Sequence, residues 1–167
     1  SAVTFVIATH RQNIPGAFYK PNGQIFARWG FTELYLQRIF WHVWGLKDVK
    51  AARALTWNIN AVQKVKLFKL LGERWIADAA DQKELKEIYS EVERLRAKRN
   101  QLAHAVWGRD PTKLGDLLLF YLPDVDKHIK PKAVRPTLSE IKSWASALNA
   151  LNTRLKRFHK KLGAPPP

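Results

Sequence analysis

The apolar side chains Ile141, Trp144, Leu148, Leu151, Leu155, Phe158 and Leu162 recur at steps of three and four between Thr137 and Gly163. A helix gathers residues so spaced onto one face, whereas a strand would divide them between two. Thr137 followed by Glu140 has the spacing of a capping box, and Gly163 supplies the stop. A face this apolar has to be covered, so the rest of the chain must provide matching elements.

The same periodicity predicts three further helices. Helix one runs from a capping Thr32 to Gly45 with Leu34, Leu36, Ile39, Phe40 and Val43, apolar on most sides as in a central or interface helix. Helix two extends without interruption from Asp48 to Leu71, with Val49, Ala52, Leu55, Ile59 and Val62 facing inward and Gly72 ending it. Helix three opens at Asp81 with Glu84 as its capping partner and ends by Gly108, where Asp110-Pro111 blocks continuation. Its stripe is Leu85, Ile88, Val92, Leu95, Leu102 and Val106.

Between helices three and four, Leu117 to Pro123 reads as a buried extended run, and the basic, proline-broken stretch Lys127 to Pro136 makes a small hairpin of it. Residues 1–29 read as an N-terminal arm, with a short strand over 3–8 and turns at Asn13–Gly16 and Lys20–Gly23. Residues 164–167 form a proline-rich, extended and disordered tail. The expected fold is all-α: one four-helix domain over residues 30–163, with an arm and an extended or hairpin insert.

Lysine and arginine number 29 against 14 acids, a formal charge of +15. Such an excess calls for a polyanion, most commonly a phosphate backbone, with acidic membranes or an acidic inhibitor protein as rivals. Without cysteine there is no disulfide, thiol nucleophile or cysteine-bound zinc. His10, His42, His104, His128 and His159 lack metal-ligand spacing, and neither a glycine-rich phosphate loop nor a serine elbow is present, so no metal or cofactor is expected. The apolar start, residues 2–8, has no basic leader and is too short to span a membrane, which makes a cytoplasmic location the default.

Two basic faces have alternative readings. Lys47, Lys50, Arg53, Lys64, Lys66 and Lys69 on helix two would line a nucleic-acid groove or simply be solvated. Arg154 to Lys161 would track RNA or complement the carbonyls ending helix four, with His159 a bystander. Trp107 would stack a base or pack into the core.

One position breaks the stripe of helix three. Residue 99 bridges Leu95 and Leu102, and it is an arginine, whose charge cannot be shed. A guanidinium there needs a carboxylate, for which Glu33 and Glu140 are candidates, or else a wet cleft or an anionic ligand. On an ideal helix His104 lies about 140° round from Arg99, with Asn100 one turn before it on that flank. Either Arg99 bends toward the imidazole, or a second copy packs on this seam and brings two such pairs together; the second also covers the apolar face.

The run RAKRNQLAHAVWG resembles the signature of the HEPN domain family, with Arg99, Asn100 and His104 matching its arginine, polar residue and histidine. The order of helices over residues 30 to 163 is also similar to that family. The resemblance implies a dimeric, metal-independent endoribonuclease, of the kind that serves as a toxin or phage-defence effector and is held by an acidic antitoxin or a nucleotidyltransferase partner. Arg99 and His104 would then be catalytic and Asn100 would assist. Attack of the 2′-hydroxyl requires one proton removed, one proton donated to the leaving 5′-oxygen, and the phosphorane charge balanced. Imidazole and guanidinium suit those tasks. Rival expectations are a noncatalytic HEPN-like module that binds RNA or protein, and a helical partner protein with no nucleic-acid role.

Overall fold

The computed structural model describes residues 14–109, 117–121 and 132–163. A 3-10 turn, Gly16–Phe18, leads into α1 (Tyr19–Val43), α2 (Val49–Thr56), α3 (Ala61–Trp75) and α4 (Ala79–Ala103). Strands β1 (Val106–Arg109), β2 (Leu117–Tyr121) and β3 (Lys132–Val134) then precede α5 (Leu138–Lys161). The described residues are mostly helical, with one small antiparallel sheet in the order β1-β2-β3. The expected strand at 3–8 and the tail at 164–167 lie outside the described residues.

Helix α1 starts thirteen residues before the expected cap, so the latter part of the expected arm, with its Lys20–Gly23 turn, is helical. The cause is a buried stripe, Ile25, Trp29, Thr32, Leu36 and Ile39, that runs straight through Thr32. Thr32 is a core residue and not a cap. Its Oγ1 lies 2.8 Å from Asn152 Oδ1 and 3.1 Å from Arg28 O, while Asn152 Nδ2 donates to Arg28 O at 2.8 Å, tying α1 to α5. As expected of its composition, α1 is central and packs on α3, α4 and α5. It ends in a Schellman turn: Gly45 (φ 70°) donates to His42 O and Leu46 to Trp41 O.

The single long helix expected over 48–71 is two. Asp48, near which the helix was expected to begin, caps the first, accepting from Lys50 N and Ala51 N. Asn60 starts the second through a reciprocal capping box, its Oδ1 accepting from Gln63 N at 3.0 Å while Gln63 Oε1 accepts from Asn60 N at 3.1 Å. The break shifts the helical phase. Ala52 and Thr56, then Val65 and Phe68, are buried, whereas Val49, Leu55 and Val62, expected inside, are exposed.

Helix α4 is capped by Asp78, which accepts from Asp81 N at 2.8 Å, and not by Asp81. It stops at Ala103, five residues before Gly108. Trp107 Nε1 donates to Leu102 O at 2.6 Å, taking up a carbonyl that the helix end would leave open as the chain turns into β1. Val106 therefore leaves the stripe and is exposed. In the sheet Trp107 stands opposite Leu119, and Leu119 opposite Val134, so this row packs with Leu117 on the helical core. The expected insert is real, but it borrows its first strand from the end of the expected helix. The Thr137–Glu140 capping box forms as the spacing requires. No described helix is long and apolar enough to cross a membrane.

Candidate functional site

Leu85, Ile88, Val92, Leu95 and Leu102 are buried along α4, and Arg99 occupies the place in that row that the sequence assigns to it. It is half-buried. Its guanidinium carbon sits 5.6 Å from the centre of the Phe26 ring on α1, and one Nη donates to Asn100 Oδ1 at 3.1 Å. Its Nε is buried with no hydrogen-bond acceptor among the described residues.

No carboxylate among the described residues forms an ion pair with Arg99. Both acids named as candidates are engaged elsewhere: Glu33 accepts from the Trp29 indole, and Glu140 accepts from Thr137 N at 2.7 Å in its capping box. The Thr137 hydrogen bonds hold the Glu140 carboxyl below its ordinary range, with burial opposing them and the charge of Lys98 aiding them. The neighbouring arginines differ from Arg99, since Arg94 pairs with Glu91 and Arg96 with Glu93, each at i,i+3. Among the described residues, Arg99 is thus a cation set into the apolar row and balanced only by an aromatic face and an amide oxygen.

His104 is the C-cap of α4, with φ −105° and ψ 1°, so it has left the helical path along which the 140° estimate was drawn. Its backbone N–H still donates to Asn100 O at 3.0 Å, and its imidazole is exposed. The structure therefore brings Arg99 and Asn100 into direct contact, while no hydrogen bond among the described residues joins either side chain to the His104 ring. Trp107 is partly buried against the core, with its N–H committed to Leu102, which is the packing alternative and not a free stacking platform.

Three cations of the basic run at the end of α5 pair with acids of α4. Arg154 reaches Glu87 at 2.6 Å and Glu84 at 3.7 Å, Arg157 reaches Glu84 at 3.4 Å, and Lys161 engages Asp81. The Arg154 hydrogen bond lowers the pKa of Glu87, and the Asp81 hydrogen bond raises that of Lys161. Acids of α4 thus neutralise the cations of α5 that face them.

His159 is buried. It is 3% exposed, lies edge-on to Tyr35 at 6.2 Å between ring centres, and its Nε2 has no hydrogen-bond partner among the described residues. Burial first, then the charges of His42 and Arg38, push its pKa down. The stripe of α5 passes through Leu155 and Phe158, so the neighbouring position 159 can be recognised in the sequence as adjoining the buried face. Phe26 could not be, because its ring meets Arg99 only once α1 lies against α4.

Among the described residues no group of three His, Asp, Glu or Cys side chains is placed to hold a metal ion. Comparison of the chain with protein-family models, curated proteins and solved structures finds no match.

Proposed function

We propose that this protein is an endoribonuclease of HEPN type that cleaves RNA without a metal ion, with Arg99 and His104 as catalytic residues and Asn100 as their positioning partner. The observation that carries the reading is the Arg99 guanidinium, held in an apolar row with no described carboxylate to neutralise it and one N–H without an acceptor. A phosphate oxygen is the ligand that such a fork completes. The net charge of +15 favours an RNA backbone as its source.

Arg99 would stabilise the phosphorane as the 2′-hydroxyl attacks phosphorus and the bond to the 5′-oxygen breaks. The exposed imidazole of His104 would move a proton, and one ring cannot serve both oxygens at once. A twofold pairing of chains along the α4 end supplies the second ring, one as base and the other as acid. A toxin or phage-defence role, with an acidic antitoxin or nucleotidyltransferase partner and a cytoplasmic setting, belongs to the same reading.

A second reading, a noncatalytic RNA- or protein-binding module, is favoured by the lack of a described hydrogen bond between the imidazole and either Arg99 or Asn100. The two separate on incubation of labelled RNA with EDTA present. The enzyme yields 2′,3′-cyclic phosphate ends, and His104→Ala and Arg99→Ala each abolish them while the fold persists by circular dichroism. Binding to RNA with no cutting by the unaltered protein establishes the module and rejects the nuclease.

A further inference from the structure

Between Val49 and Leu70 the chain holds five cations, Lys50, Arg53, Lys64, Lys66 and Lys69, and no carboxylate. Within this stretch Trp57 is 82% exposed, a large apolar surface left in water at the end of α2. Its backbone is still helical (φ −57°, ψ −43°), so the geometry of α2 extends to it. Lys50, Arg53 and Trp57 follow one another at steps of three and four, which puts them within about 60° of one another on the helix. All three are exposed, and no ion pair among the described residues engages Lys50 or Arg53.

The opposite flank fixes this one in place. Ala52 and Thr56 are buried against α1, and Thr56 Oγ1 accepts from Trp41 Nε1 and Gln37 Nε2, each at 3.1 Å, while donating to Ala52 O at 2.7 Å. The helix cannot roll without breaking that arrangement, so the two cations and the indole are presented together.

We infer that the Lys50–Arg53–Trp57 flank of α2 binds single-stranded RNA, with a base stacked on Trp57 and phosphates on Lys50 and Arg53. A helix that inserts into a membrane surface segregates its aromatic and aliphatic residues from its cations. Here the indole stands among the cations, and Leu55 lies about 140° away from Lys50. Interleaved cations and an exposed ring match the alternating charge and π-face of a single strand. A duplex keeps its bases stacked and offers the ring nothing. The inference rests on RNA being the partner proposed above, and it holds whether or not the chain cuts it.

The test uses the full chain carrying His104→Ala, which separates binding from cleavage, and a fluorescein-labelled uridine 20-mer read by anisotropy. Trp57→Ala is expected to weaken binding by roughly 5- to 150-fold, the usual worth of one stacked base, and Trp57→Phe to recover part of it. Lys50→Gln with Arg53→Gln should lower the slope of log affinity against log salt by about 1.4, the value for two phosphates of a single strand. A duplex of the same length should bind with no dependence on Trp57. Each of these positions is exposed, so circular dichroism should be unchanged in every variant. Unaltered affinity and salt slope in both variants overturn the inference, as does binding to vesicles of anionic phospholipid with none to the 20-mer. Cleavage by the unaltered protein with Trp57-independent binding rejects this surface and leaves the nuclease standing. Trp57-dependent binding without cleavage does the reverse.

Discussion

Replacing Arg99 by methionine distinguishes a guanidinium kept for a ligand from one kept for the fold. Methionine retains an unbranched, flexible stem that can fill the same space beside Phe26. The substitution forfeits the contact with the Phe26 ring, worth about 0.5–1 kcal/mol, and a charged hydrogen bond to Asn100, worth about 1.5–3 kcal/mol. It also removes a buried N–H without an acceptor, which costs the native fold about 1–3 kcal/mol. The midpoints of these ranges leave a net loss of about 1 kcal/mol, or roughly 2–4 °C in melting temperature for a chain of this size. A buried ion pair broken on one side would instead cost about 3–5 kcal/mol. Urea titration measures the first quantity, and RNA cleavage in EDTA measures the second, which should fall by about 100-fold or more if the guanidinium stabilises the phosphorane. A stability loss above about 3 kcal/mol with cleavage undiminished would refute the reasoning, because Arg99 would then be a structural cation.

Other perturbations test separate parts of the account. The neutral, buried His159 has its folded pKa below the ordinary 6.5, so the unfolded chain takes up a proton first as the pH falls. Stability should be full above about pH 6.5 and decline below it by up to about 1.4 kcal/mol per pH unit, until the folded pKa is passed. Urea midpoints at pH 7.5 and 5.5 measure this, and His159→Phe should flatten the difference; an equal difference in both proteins would assign it elsewhere. The carboxyls of Glu87, Glu91 and Glu140 are also lowered, and their contributions are lost only below about pH 4.5. Thr56→Val removes the acceptor that serves the buried Trp41 indole and should cost about 1–3 kcal/mol by chemical denaturation. Arg154→Ala breaks a solvent-accessible pair and should cost no more than about 1 kcal/mol while leaving RNA affinity unchanged. A large drop in affinity would return the α5 cations to the binding surface.

Helix α5 and its capping box were readable because every signal involved is local: the stripe repeats within the element, and Thr137 and Glu140 are three residues apart. The row of α4 and the anomalous place of Arg99 in it followed in the same way. Asn60 and Gln63 offered an equally local signal for the start of α3, but the apolar residues on both sides extend the period across it. At Trp107 no local signal existed. That side chain ends α4 by capping Leu102 and aligning with Leu119, and the pairing depends on a strand that comes later in the chain.

The sequence by itself therefore determined the apolar rows of α4 and α5, the starts of α2 and α5, the excess of positive charge, and the presence of a cation in a row that should have none. Only the folded arrangement decided which cations are spent. Arg154 and Lys161 meet acids of α4, Arg99 meets a ring and an amide, and Lys50 and Arg53 meet no described acid. A local sequence fixes the direction of a side chain from its own helix. The partner that neutralises its charge is delivered by another helix, and that depends on how apolar faces far apart in sequence are buried against one another.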